Sequence, residues 1–451
     1  MIGAPSSPLA SLRHRDFRRL VIGQFISIVG SQMQVVAIHW HIYLLTRSAL
    51  ALGFVGLTRV VPIVAFSLWG GVLADRKDRR RMMLATQLSM TAVALALAAV
   101  TFAGGDRLWI LYALNAVSSA AVAFDGPARQ ALIPRLVPAA DLPGALSLNL
   151  SAFQAALIGG PALAGLMIAG TGAGLSPHPS ALARAGAAAA GGTRGLALIY
   201  LINAVSFLAV IFALVTMRVS GKPDSAAGKA TPHPLADLRE GLRFVFSTPV
   251  IVWSMALDFA ATFFSGAQSL LPIFADQVLK VGPRGYGVLV SAPAIGAFIG
   301  SLALSLKPLP SSQGRIFLWS VAVFGAATVV FGFSRSFVLT LAALALVGLS
   351  DAVSTVIRQT LRQLVTPDRL RGRMTSVNMI FFMGGPQLGE LEAGLVASLF
   401  SSAVVGVTVS VVSGGLATIV VVAAVAAAAP VLRRYDYAQH AEPGGEVLPA
   451  T

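Results

Sequence analysis

Residues 70–84 read GGVLADRKDRRRMML. Asp75 is followed by Arg76, Lys77, Arg79, Arg80 and Arg81, and strongly apolar sequence bounds this charged run on both sides. The apolar stretch before it begins near residue 49, and the one after it ends near residue 103. Each is long enough to cross a bilayer, because an α-helix rises about 1.5 Å per residue and the hydrocarbon core is about 30 Å thick. The run therefore reads as a tight polar turn between two membrane helices. Working outward from it, twelve such stretches fall at about 17–46, 49–74, 82–103, 107–128, 145–170, 195–217, 248–273, 285–306, 315–333, 336–357, 373–400 and 403–432. Inside lipid only a helix satisfies all of its own backbone hydrogen bonds. An all-α membrane protein of twelve transmembrane helices is expected.

Composition agrees. Hydrophobic residues make up 56% of the 451 and charged residues 11%, against about 25% charged in soluble domains. The net charge of +15 does not signal nucleic acid, because 25 of the 33 Lys and Arg residues fall on one side of the alternating turns. The positive-inside rule places that side, and both termini, in the cytoplasm. The first apolar stretch lacks a following small-residue cleavage site and reads as a retained span, not a cleaved signal peptide. With no Cys, disulfides, thiolate metal sites and cysteine nucleophiles are excluded. Neither a G-x-x-x-x-G-K-[ST] phosphate loop nor an H-E-x-x-H zinc helix occurs, so direct ATP use, a metal or a cofactor is not expected. No soluble stretch is large enough for a conventional active site, and enzymatic activity is not expected either.

The longest polar inner segment, 218–247, divides the twelve spans into six and six. The expected units are an N-terminal six-helix bundle (1–217), a cytoplasmic linker (218–247), a C-terminal six-helix bundle (248–433) and a cytoplasmic tail (434–451). The segment 171–194, rich in Gly and Ala, reads as an outer loop. A weak repeat about 229 residues apart supports the division: Arg129-Gln130 aligns with Arg358-Gln359, Pro138 with Pro367, and Ser147-x-Asn149 with Ser376-x-Asn378. A parallel six-plus-six repeat of this kind places a substrate site between two halves that rock.

Two readings of the turn at 70–84 stand. It is either a positive-inside anchor or a breakable charge cluster that biases one of two conformations. The pattern G-x-L-A-D-R-x-D-R-R, Gly71 to Arg80, closely resembles the cytoplasmic loop motif of the major facilitator superfamily, with Asp78 where that motif usually carries glycine. The resemblance implies a latch formed by Gly71, Asp75, Arg76, Arg79 and Arg80 that stabilises the outward-facing state. The segments LRHRDFRRLVIGQFISIVG (12–30), SALALGFVGLTRVVP (48–62), FDGPARQALIPRLVP (124–138) and GRMTSVNMIFFMGGPQLGELEAG (372–394) resemble the enterobactin-exporter-like branch of that superfamily. That branch is associated with export of siderophores and other amphipathic molecules. The GGPALAG run, Gly159 to Gly165, partly resembles a glycine-proline motif of exporters and equally fits simple helix packing.

Charges inside spans are costly and therefore informative. Arg59 and Glu390 lie about ten residues, roughly 15 Å, from the outer ends of the second and eleventh spans. Arg59 is expected to pair with Glu390 or Glu392, either statically or in one conformation only; the two glutamates are too close in sequence to share a helix face. Asp258, about eight residues into the seventh span, is a candidate proton site or substrate-cation partner, or a carboxylate tied to a neighbouring helix. Asp125 with Arg129, and Asp351 with Arg358, are expected in an inner charge network. Gln24, Gln32, Asn115, Gln154, Asn203, Gln268 and Asn378 either line a polar cavity or hydrogen-bond helix to helix. His39 and His41 read as interfacial histidines, since i,i+2 spacing is poor chelating geometry on a helix. Phe259, Phe263, Phe264, Phe381 and Phe382 are aromatic candidates for contact with substrate, lipid or each other.

The expected function is secondary active transport: a proton-coupled exporter of a small amphipathic molecule, siderophore or drug, acting as a monomer in a bacterial cytoplasmic membrane. Uptake of a metabolite or lipid, or a non-transporting sensor or scaffold, are the alternatives.

Overall fold

The structure is a computed structural model; it describes residues 8–171, 193–219, 234–306, 312–367 and 370–436. Among these there is no strand. The chain runs through α1 (Arg15–Thr46), α2 (Ala49–Arg76), α3 (Arg79–Phe102), α4 (Leu108–Leu132), α5 (Leu142–Gly170), α6 (Arg194–Thr216), α7 (Pro234–Ser247), α8 (Pro249–Phe264), α9 (Gly282–Leu306), α10 (Gln313–Phe333), α11 (Phe337–Val365), α12 (Arg371–Ser398) and α13 (Ala403–Ala428). Eleven helical segments among the described residues are long and apolar enough to span a membrane. The remaining expected span is α12, which carries Arg371, Arg373, Glu390 and Glu392.

Local chemistry explains several helix ends. Ser48 caps α2 by accepting from the Ala51 amide at 3.3 Å. Asp78 caps α3, its carboxylate accepting from the Arg80 and Arg81 amides at 3.0 and 3.3 Å. That gives Asp78, the departure from the loop pattern, a local role: a carboxylate at a helix start satisfies orphan amides and complements the dipole. Large apolar side chains such as Trp109, Trp319, Leu306 and Leu399 face outward, as lipid contact requires.

Two features depart from the expected spans. Residues 234–247, expected within a polar linker, form the amphipathic helix α7, which packs Leu242, Phe244 and Val245 onto an apolar cluster while Arg243 stays exposed. The seventh span is broken. α8 stops at Phe264, and the chain continues through a 3-10 turn (Ala267–Leu270) and a π-helical turn (Phe274–Val278). Gly266 sits in the break, where a Cβ would lie 2.6 Å from the Glu390 nitrogen of α12, so only glycine allows this approach.

By contact the chain forms two compact units, Met1–Pro232 with Ser269–Ser291, and His233–Gln268 with Ala292–Thr451. The first has an apolar core around Phe17, Leu20, Met83, Leu132, Ile133 and Leu214. The second has one around Ile251, Leu257, Phe317, Ile357, Leu361 and Val377.

In the first unit α1 and α6 are joined by Asn203, which donates to the Gln34 side-chain oxygen at 2.7 Å with both groups buried. Asn203→Leu leaves that oxygen unpaired, and we expect a loss of about 1 kcal/mol. Adding Gln34→Leu should recover part of it. Thermal unfolding in detergent of the two variants checks this.

Candidate functional site

A heavily charged buried group lies in the second unit. Asp258, on α8, forms an ion pair with Arg358 of α11. Arg358 is 2% exposed and Asp258 8%. A second carboxylate, Asp351, two turns earlier on α11, lies 3.6 Å from the same guanidinium. The guanidinium also donates to the Thr355 hydroxyl at 2.8 Å and the Ser354 carbonyl at 3.3 Å. Asp258 and Asp351, with Thr262, Ser350 and Ser354, border a cavity of about 10 Å³, the size of one water molecule. One turn further along α11, Arg362 donates to the Asn378 oxygen of α12. Burying charges in lipid is tolerated only when they are paired and hydrogen-bonded. Two carboxylates that face one arginine can exchange it when one of them takes a proton.

Phe259 and Phe263, beside this group on α8, stack at 6.0 Å, and Phe381 of α12 meets Phe259 edge-on at 6.0 Å. Glycines 385 and 389 let α12 approach α8 here. Glu390 and Glu392 follow on the same helix and are partly buried. Gln268 is exposed at the break in the seventh span.

The first unit carries a related arrangement. Arg129 of α4 donates to the Gln24 side-chain oxygen of α1 at 2.7 Å. Asp125 does not join Arg129 in an ion pair. Its carboxylate accepts from Thr86 and Gln87 of α3, at 3.0 and 3.1 Å. The expected inner network is thus a set of helix-to-helix bonds here, because Asp125 points toward α3. Asn115 donates to Thr58 at 2.9 Å, next to Arg59 on α2. Gln32 and Gln154 are half-buried. Gly160 packs against Gln32 and Val29 of α1, and Gly165 against Gly287 and Pro283, so these two glycines of the GGPALAG run serve helix packing.

In the turn that began the sequence reading, Arg79 donates to the Ala131 carbonyl at 3.2 Å and Arg80 to the Val215 carbonyl at 2.9 Å. Both accept at the last turns of helices, α4 and α6, where cations are favoured. Gly71 lies within α2, and the side chains of Asp75 and Arg76 lie outside what the structure describes.

His39 and His41 are both buried. His39 Nδ1 lies 2.9 Å from the Val35 carbonyl. His41 lies 3.2 Å from the Tyr200 hydroxyl and 3.5 Å from Asp106, neighbours that make burial tolerable. One cluster lay outside the sequence reading altogether. At the C-terminal end of α1, Tyr43 donates to Asp276 and accepts from Arg47 at 2.7 Å and from Gln277 at 3.1 Å. Arg47 also pairs with Asp276 at 2.7 Å. Arg47 and Asp276, charges that fall just beyond the expected first and seventh spans, were the available signal.

Two overlapping stretches, residues 6–183 and 175–442, match the family model described as transmembrane secretion effector. The chain belongs to the transmembrane secretion effector family. This secretion-effector chain has the major facilitator fold. It is 25% identical over 382 residues to the enterobactin exporter EntS of Shigella boydii serotype 18, which covers 84% of the chain and 85% of the relative. The EntS of Escherichia coli O139:H28 matches to the same extent. Among solved structures, a bacterial homologue of the human lysosomal transporter Spinster, inward-facing and occupied, superposes with a TM-score of 0.71 at 15% identity, over 95% of this chain and 99% of that one. The nucleoside transporter NupG gives 0.65 at 13% identity, over 93% and 100%. At such identities these structures speak for the fold alone, and the secretion-effector assignment rests on the family match.

Proposed function

We propose that this chain is a proton-driven exporter of a small amphipathic molecule of siderophore type. It transports and does not catalyse. It works by alternating access, as a monomer, in a bacterial cytoplasmic membrane with both termini in the cytoplasm. The enterobactin exporters support the class of cargo. The observation that carries proton coupling is the buried Asp258–Arg358 pair with Asp351 at 3.6 Å. Protonation of Asp258 releases Arg358 toward Asp351, and the one-water cavity beside them gives the proton a place to arrive. The loop arginines Arg79 and Arg80, with Asp75 and Arg76, act as the cytoplasmic latch.

The test is accumulation of siderophores and fluorescent dyes in cells with and without the gene, each with and without a protonophore. Cells with the gene should hold less of the cargo, and the protonophore should erase the difference. An unchanged difference under protonophore removes the proton; no difference for any compound of a broad panel removes export.

A further inference from the structure

The two units carry the same contact with one group changed. In the second unit Arg358 of α11 meets a carboxylate on α8, Asp258. In the first unit the repeated arginine, Arg129, meets a carboxamide, Gln24. Both partners stand at the tenth position of their helices, which start at Arg15 and Pro249. A guanidinium has donors only, so it takes the Gln24 oxygen and turns the amide nitrogen away. That nitrogen is buried and has no hydrogen-bond partner among the described residues, on a side chain 4% exposed. Asp125, the carboxylate one turn earlier on α4, is engaged by Thr86 and Gln87. The carbonyl end of α4 favours the Arg129 charge, but a helix dipole is not a counter-ion. A half-buried cation held by an amide oxygen, with an unpaired N–H donor beside it, is a setting that suits an added anion.

We propose that Gln24 and Arg129 form an anion-accepting subsite, which binds a carboxylate or other acidic oxygen group of the transported molecule. This rests on the reading of the chain as a transporter and narrows its cargo to acidic amphipaths. Arg129 supplies the charge, and the Gln24 amide nitrogen supplies a second donor. In the second unit Asp258 already fills the equivalent place, so the two units divide the labour: one holds the cargo's anion, the other holds its own.

Gln24→Glu tests this, because it installs in the first unit the ion pair that the second unit tolerates. The probes are fluorescein, an amphipathic anion, and ethidium, a cation, bound to the full-length purified protein and followed by fluorescence anisotropy. Gln24→Glu should keep or raise the melting temperature and weaken fluorescein binding about tenfold or more, while ethidium binding stays unchanged. Arg129→Gln should weaken fluorescein equally, and Arg129→Lys should retain most of it. The subsite is overturned if wild-type protein fails to bind fluorescein, if Gln24→Glu binds it normally, or if both dyes weaken together. Binding requires no gradient, so a failed protonophore experiment leaves this result standing, and the reverse also holds.

Discussion

Asp258→Asn is expected to abolish accumulation driven by a pH gradient and to destabilise the protein by about 3 kcal/mol. The two effects have one origin. Arg358 is almost fully buried, and its direct ion-pair partner is Asp258. Removing one member of a buried pair leaves a charge without compensation, a loss of about 3–5 kcal/mol. Asp351, 3.6 Å away, takes part of that charge and places the expected loss at the lower end. The transport defect is separable from the stability defect. In the double variant Asp258→Leu, Arg358→Leu the charge is gone from both sides, so much of the stability should return. Proton-driven transport should not return, because the carboxylate proposed to exchange the proton is still missing. Proteoliposomes with an imposed pH gradient, alongside thermal unfolding, measure both. Normal gradient-driven transport by Asp258→Asn would remove the carboxylate from the coupling scheme.

Gly287→Val should be nearly as damaging, for a steric reason. Gly165 of α5 and Gly287 of α9 face each other backbone to backbone. A Cβ on either would lie 2.8 Å from the other's Cα, closer than real side chains approach. Overpacking costs about 1–3 kcal/mol. Here the obstacle is main chain that cannot rotate away, so about 3 kcal/mol is expected. The damage should spread to the C-terminal end of α1. Tyr286, next to the glycine, stacks on Trp40 at 5.4 Å, and Asp276 and Gln277 hold Tyr43 and Arg47. The chain has no cysteine, so Gln277→Cys introduces a single label site. Maleimide labelling at 277 should be faster in the Gly287→Val background than in the parent. Equal labelling and equal melting would mean that this crossing tolerates a larger residue.

The fold was legible because the bilayer imposes length. Apolar stretches near 17–46 and 403–432 have one way to satisfy their backbone in lipid, and the expected ends agree with the helices to within a few residues at most positions. α7 was not legible, because a surface helix with Arg239, Glu240 and Arg243 has the composition of a linker and shows its apolar stripe only when wound. The break in the seventh span was masked for the same reason: apolar residues on both sides of Gly266 hide a glycine chosen for close approach.

For the site, depth was readable and direction was not. Asp258 and Arg358 stand at comparable distances from the N-terminal end of α8 and the C-terminal end of α11, so counting residues brings them to one level of the membrane. Whether they face each other depends on helix rotation, which a nearly uniform apolar helix does not encode in its periodicity. The repeat carried more. It aligned Arg129 with Arg358, and the structure gives both arginines a partner on the first membrane-spanning helix of their half, α1 and α8.

The piece of chain at Ser269–Ser291 has a practical consequence for anyone who would express the protein as two polypeptides. The sequence invites a cut in the polar stretch before α7. Yet the main chain passes from one compact unit to the other three times, at 232–233, 268–269 and 291–292. A fragment that stops at 232 would lack the strap that covers Trp40 and Tyr43, side chains almost wholly hidden in the full-length protein. Such a fragment should be insoluble or protease-sensitive by itself, and should be rescued only when the complementary fragment is made in the same cell.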